Sequence, residues 1–321
     1  MKDKEYDILL REYEKLNRER ADMYILSFDE HIAYLKRAFS RADFSKYSNE
    51  KSVKVAILWM HGGNDLMKYY NAFRARDMKM LNDVLFETAH IKQMENILNP
   101  GVDHGYYGFR ITPNLMAANM MDRLELVLPE ENGVSTGSYI GAAAANLLMG
   151  IMYDNRELKE DALRLANRQL EKKVPNCYRL FVECMMAIMQ CNYAEFNEKI
   201  NLFCKAYMSL RDSDMNGFNR RFCIEAHGMY NLARYAYNGA MSDKIELPIA
   251  DNFCQDLALW QDEHGCKVGE VYYHYPIELD FYNRIMKCRP VQMHLIKNGR
   301  NRCIDTERYL KELISENNLS L

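Results

Sequence analysis

The sequence predicts an all-α fold: a helical bundle leading into helix-turn-helix hairpin repeats of the tetratricopeptide or HEAT type, in a single elongated domain. Three observations carry this expectation. Only 7 Pro and 15 Gly interrupt 321 residues, whereas a sandwich or barrel needs a turn signal roughly every ten residues. Apolar residues recur at helical spacing, as in Phe196, Ile200, Phe203, Tyr207 and Leu210, which share one face at ~3.6 residues per turn. Finally, "MGIMYDN" at 149–155 returns as "MAIMQCN" at 186–192, each copy followed by a charged amphipathic stretch. Such an echo, with a period in the high thirties, is the mark of a repeated helical hairpin, although neither family's detailed consensus is met.

In chain order, residues 5–41 read as one long or broken helix, with stripes at Ile8, Leu9, Tyr13, Leu16 and then Ile25, Phe28, Ile32, Leu35, Phe39. After the polar break "SKYSNEKS", residues 53–98 supply two or three helical segments closed by Asn99, Pro100 and Gly101. "ITPNLMAANMMDRLELVL" is a further helix with Pro113 in its tolerated first turn, stopped by Pro129. "STGSYIGAAAANLLMG" opens the repeat region with Ser and Thr available as N-caps. Three hairpins follow, the third entering through "FNRRFCIEAHGMYNLARYAYNG" and stopping at Asn238-Gly239. The aromatic "VYYHYPIELDFYNRI" and a last helix after Asp305 complete the chain. No low-complexity linker separates the N-terminal helical region, 1–130, from the repeat region, 131–321, so one continuous domain is expected.

The net charge of −3 lacks the field of a general nucleic-acid binder. Locally the balance is uneven. Asp243, Glu246, Asp251, Asp256, Asp262 and Glu263 crowd one stretch with a single Lys, while residues 284–302 carry six basic residues and no acid. These are either two solvated faces or an acidic docking face for a basic partner. The start of the chain is charged throughout, unlike a secretory signal, and no apolar run reaches the ~18 residues needed to span a bilayer. A cytoplasmic protein without a membrane partner is expected. All nine Cys lie from Cys177 onward, without a Cys-x-x-Cys pair, and so read as thiols. Cys177, Cys184 and Cys191 recur every seven residues on one predicted helix, as core residues or, less simply, as a metal or redox set.

Several motifs invite chemistry. His61-Gly62-Gly63 and Gly133-Val134-Ser135-Thr136-Gly137 have the residue types of a lipase oxyanion hole and nucleophile elbow. "PEEN" nevertheless sits where the elbow's strand should run, which favours Ser135 as a helix cap over a nucleophile. Glu87 and His90 have the Glu-x-x-His spacing of di-iron bundles, but the motif occurs once. Cys223 and His227 share a helix face, and two further zinc ligands are not identifiable. No phosphate-cradling loop or dinucleotide fingerprint is present, and no cofactor or metal is expected. Trp260 among acids, and Tyr272, Tyr273 and Tyr275 in "VYYHYP", are either interface anchors or packing residues.

"FNRRFCIEAHGMYNLARYAYNGAMSDKIELP", with "AAAANLLMGIMYDN" and "AIMQCNYAEFNEKINLF" upstream, resembles bacterial polymorphic-toxin immunity proteins, most nearly the immunity protein 49 family, over residues 135–260. "VYYHYPIELDF" echoes a second immunity family. The resemblance implies a non-catalytic protein that binds a cognate toxin encoded nearby and occludes its active site. The acidic run suits a basic, nuclease-type toxin, with Asp243, Glu246, Asp251, Asp256, Trp260, Asp262, Glu263, Tyr272 and Tyr273 as the contact set. A helical-repeat protein–protein adaptor and a serine esterase using Ser135 are the alternatives.

Overall fold

A computed structural model describes residues 3–19, 27–60, 65–98, 103–210, 217–237, 239–299 and 301–321. The expected all-α fold is present, with sixteen α-helices and one two-stranded sheet among the described residues. Five helices open the N-terminal region: α1 (Asp3–Glu19), α2 (Phe28–Arg41), α3 (Asn49–Met60), α4 (Asp65–Ala75) and α5 (Met78–Ile97). Local chemistry starts two of them: Ser27 accepts from the Glu30 N–H at 3.2 Å, and Asp77 from the Met80 N–H at 2.9 Å. α5 is the hub, packing against α4, α3 and elements from the far end of the chain. It buries not only Leu81, Val84 and Leu85 but also Asn82, Glu87, Thr88, His90 and Gln93. Ile25 and the Asn99-Pro100-Gly101 stop lie outside the described residues.

The helix expected over 111–128 is broken. α6 (Thr112–Ala117), with Pro113 in its first turn, ends where Asn119 adopts a left-handed φ of 57°, and α7 (Leu124–Val127) is a single turn. Asn tolerates that conformation better than its neighbours. Ahead of α6, a 3-10 turn at His104–Gly108 presses against a later helix, α8 (Ile140–Met152). A Cβ on Gly108 would collide with the backbone of Gly141 and lie 2.7 Å from the Ala145 nitrogen, so the close approach requires glycine there.

The echo is a repeated hairpin. α8 (Ile140–Met152) turns into α9 (Arg156–Leu170), and α10 (Asn176–Met189) into α11 (Tyr193–Met208). The repeated asparagine is the N-cap of the second helix each time: Asn155 accepts from the Leu158 N–H at 3.1 Å, Asn192 from the Glu195 N–H at 3.3 Å. The apolar helices α8 and α10 pack together, and the stripe of α11 is buried through Phe196, Ile200, Phe203 and Tyr207. Two expectations here need correction. α8 begins at an N-cap, Tyr139, with no side-chain cap bond, so neither Ser nor Thr caps it. Cys177 and Cys184 are buried on α10, whereas Cys191 lies beyond its end, exposed, with φ 55°.

Among the described residues no third hairpin of the same kind forms, and Asn238 of the expected stop lies outside them. α12 (Gly217–Arg221) is one short turn, and α13 (Ile224–Tyr237) packs chiefly against α6, while α14 (Gln255–Glu263) packs on α5. A buried amide network joins these helices. The Asn231 side-chain N–H donates to the Met116 and Ala117 carbonyls, and Gln261 donates to Ala117 and to Asn82 at 3.0 and 2.8 Å. Beyond α14 an irregular strap, residues 266–276, runs along α5. α15 (Asp280–Lys287) and α16 (Thr306–Asn317) then return to α3. Asp305 caps α16, accepting from the Arg308 N–H at 3.0 Å. An antiparallel ribbon pairs β1 (Leu295–Asn298) with β2 (Asn301–Ile304), an element the helical reading of the sequence omitted. The last residues pack at the start of α3, with Asn49 donating to the Leu319 carbonyl at 3.0 Å.

Candidate functional site

The acidic stretch is an ordered ledge laid along α11. Asn197 donates to the Lys244 carbonyl (2.9 Å) and accepts from the Glu246 N–H (3.1 Å), and Asn201 accepts from the Ile249 N–H (2.8 Å). These asparagines stand one helical turn apart and so fix an extended segment by its backbone, leaving its side chains to alternate outward. Asp243, Glu246 and Asp251 are exposed, and Ile249 between them is 81 % exposed. On α11, Glu198 and Leu202 are exposed beside the two asparagines. Lys244, the stretch's single cation, is turned against the Tyr193 ring at 4.6 Å. The sequence reading missed Ile249 and Leu202; an isoleucine flanked by acids after the Leu-Pro step was the available signal.

The other expected contact residues divide by environment. On α14, Asp256, Leu259 and Glu263 are exposed on one face, although Asp256 accepts from the Tyr6 hydroxyl at 2.8 Å. Trp260 is half-buried and stacks on His264 with ring centroids 4.1 Å apart. Asp262 is half-buried and held by Arg234 at 2.7 Å and by the Tyr230 hydroxyl at 3.4 Å. Burial pushes its carboxyl pKa above the usual value against the opposing pull of Arg234. Tyr272 and Tyr273 belong to the strap: both backbone N–H groups donate to one Glu87 oxygen at 3.0 Å, and the Tyr273 ring stacks on Phe28 at 3.7 Å. Tyr275 is buried and shares a hydrogen bond with His31 at 3.2 Å. The structure therefore leaves Asp243, Glu246 and Asp251 exposed along the ledge. It commits Asp262, Tyr272 and Tyr273 to internal contacts.

The motifs that suggested chemistry are structural in their geometry. Ser135 is 1 % exposed; its hydroxyl donates to Asp103 at 2.9 Å and accepts from the Gly137 N–H at 3.2 Å, while Asn146 brackets its backbone at 2.7 and 2.8 Å. A hydroxyl that donates to a carboxylate from inside the protein is a turn lock, whereas an esterase serine faces a base and an open site. The His61-Gly62-Gly63 segment lies outside the described residues. Glu87 pairs with Lys68 at 2.7 Å, both fully buried. His90, on the same helix, faces the Ile285 carbonyl and Arg123 instead of a metal partner set. His227 Nε2 accepts from the Cys254 N–H at 3.1 Å and the ring stacks on Phe253 at 4.1 Å, while its Nδ1 is buried without a hydrogen-bond partner. Among the described residues no group of three or more His, Cys, Asp or Glu is arranged to hold a metal ion, and no helix is long and apolar enough to cross a membrane.

Fold and surface together define the class as a helical protein with two tandem hairpins and an ordered acidic ledge. Comparison with family models, with curated proteins and with solved structures finds no match.

Proposed function

We propose that the protein is a non-catalytic immunity protein that binds a basic toxin encoded nearby and occludes its active site. The observation that carries this reading is the ledge on α11. It presents Ile249, 81 % exposed, among Asp243, Glu246 and Asp251, on a backbone held in place by Asn197 and Asn201. A preorganised apolar anchor in a charged rim is the anatomy of a protein interface, where buried anchors supply affinity and rim charges supply on-rate and specificity. The resemblance of residues 135–260 to immunity proteins supports the same reading, as does the internal commitment of Ser135, Glu87, His90 and His227.

The test is co-expression with the product of the neighbouring open reading frame, read as growth rescue and co-purification. Rescue with a stable complex is expected. Asp243→Lys, Glu246→Lys and Asp251→Lys together are expected to slow association about tenfold or more at low salt, and to flatten its salt dependence. Ile249→Asp is expected to speed dissociation. A complex indifferent to all four changes overturns the ledge as the interface. A stable complex with other proteins and no rescue moves the reading to a helical-repeat adaptor.

A further inference from the structure

We infer that the outer edge of β1 is a docking strand for an extended acidic segment of another protein, a site that does not rest on the acidic ledge. The register of the ribbon pairs Leu295 with Ile304, Ile296 with Cys303 and Lys297 with Arg302. At its base the Asp305 N–H donates to the His294 carbonyl at 2.8 Å, which makes 294 and 305 a hydrogen-bonded pair. Bonded and non-bonded pairs alternate along an antiparallel ladder, so Ile296 and Cys303 are the next bonded pair. Leu295 and Lys297 hold the non-bonded positions, with their N–H and C=O groups turned away from β2. Among the described residues none of these four groups has a hydrogen-bond partner. Along this edge Ile296 is 48 % exposed, and Lys297 and Asn298 are exposed. Unpaired backbone groups on exposed residues meet water and form a template for a further strand.

The side chains select that strand. Lys297 and Arg302 stand directly opposite each other on one side of the ribbon, two like charges without an acid between them. Arg302 is held by the Asn132 and Val134 carbonyls, which leaves Lys297 as the charge at the edge. The acids that flank the ribbon are engaged elsewhere: Glu312 holds Arg308 at 2.7 Å and His294 at 3.6 Å, Asp305 caps α16, and Glu131 accepts from Gln292. A lysine on an edge disfavours apolar and basic strands, and a second copy of β1 would bring a second Lys297 to the same edge. A strand that sets a carboxylate opposite Lys297 meets neither obstacle. Its next residue, on the other side of the sheet, lies beside Ile296 and is best β-branched. The segment recognised is therefore one in which acidic and β-branched residues alternate, held by the outward N–H and C=O groups of Leu295 and Lys297.

The test is fluorescence polarisation of a labelled, end-blocked peptide of alternating Glu and Val titrated with the full chain. The peptide is expected to bind, and the same peptide N-methylated at each Glu, which keeps the charge but loses the donors, to bind about tenfold more weakly or worse. Lys297→Met keeps the backbone N–H and is expected to weaken binding about threefold. Lys297→Pro also removes the outward N–H and leaves the bonds to β2 in place, as an edge strand allows, and is expected to bind about fivefold more weakly than Lys297→Met. The two peptides compared on the unaltered chain keep the inference testable if Lys297→Pro fails to fold. No binding of the Glu-Val peptide, equal binding of its N-methylated form, or equal affinities of Lys297→Pro and Lys297→Met overturn the site. So does a free chain that sediments as a dimer and becomes a monomer in Lys297→Pro, because the occupant is then a second copy. None of these outcomes bears on toxin binding by the ledge.

Discussion

Removing the Lys68 ammonium from its buried pair with Glu87 is expected to be among the most damaging single changes in the protein. Both side chains are 0 % exposed, and Nζ lies 2.7 Å from Oε1 of Glu87 and 3.9 Å from Asp65. Burial opposes the charge on Lys68, but the Glu87 and Asp65 carboxylates outweigh it and the pKa stays above the ordinary lysine value. Lys68→Met leaves the Glu87 carboxylate buried without its counter-charge, and breaking such a pair from one side costs about 3–5 kcal/mol. Oε2 of Glu87 keeps two backbone N–H donors, from Tyr272 and Tyr273 at 3.0 Å. Bonds to a charged acceptor of that kind are worth about 1.5–3 kcal/mol each, so the cost falls at the lower end, about 3 kcal/mol. With an m-value of about 3 kcal/mol/M the urea midpoint drops by about 1 M. Adding Glu87→Gln removes the orphaned charge while its amide oxygen still accepts from the strap, so the double variant is expected to recover about 2 kcal/mol of that loss. Urea unfolding followed by far-UV circular dichroism on both singles and the double completes a double-mutant cycle. A Lys68→Met cost below about 1 kcal/mol, or a double-variant cost equal to the sum of the singles, refutes the reasoning.

Three further expectations concern the core and the echo. His31 and His104 have pKa values lowered to about 4 and His90 and His227 to about 3, chiefly by burial, so all four bind protons more readily unfolded, where the value is about 6.5. Their contribution is complete above pH 6.5 and is lost as pH falls toward 4, at up to about 1.4 kcal/mol per pH unit for each histidine; urea stability that stays flat from pH 7 to pH 5 contradicts this. Asn155→Ala and Asn192→Ala each remove one N-cap bond and are expected to cost about 1 kcal/mol in thermal or urea unfolding, a loss that Asp at the same positions restores. Because Ser135 is buried and donates to Asp103, a fluorophosphonate probe is expected to leave the protein unlabelled; labelling that disappears in Ser135→Ala revives the esterase alternative.

The helical class was readable from residue spacing, because each amphipathic stripe states which face it buries before any partner is known. The echo also identified its own turns, since an N-cap is a contact between residues three apart and Asn155 and Asn192 make it within their own segments. Reading failed where the deciding contact was distant. "ITPNLMAANMMDRLELVL" has continuous helical character, but it is broken at Asn119 and docked by α13, whose Asn231 claims the Met116 and Ala117 carbonyls from 115 and 114 residues away. The third hairpin failed for the same reason, α13 packing on α6 and α14 on α5. Acidic residues alike in sequence also met different fates: Asp262 was drawn inward by Arg234, and Asp251 left outside on a backbone pinned by α11. Glu87 and His90 looked like metal ligands by spacing, and only packing supplied Lys68, the strap N–H groups and Arg123 as their partners. Sequence by itself determined the local preferences and the apolar faces. Tertiary structure alone decided which polar side chains were buried and with whom, because the cost of burying a charge depends on a partner that the chain brings from far away.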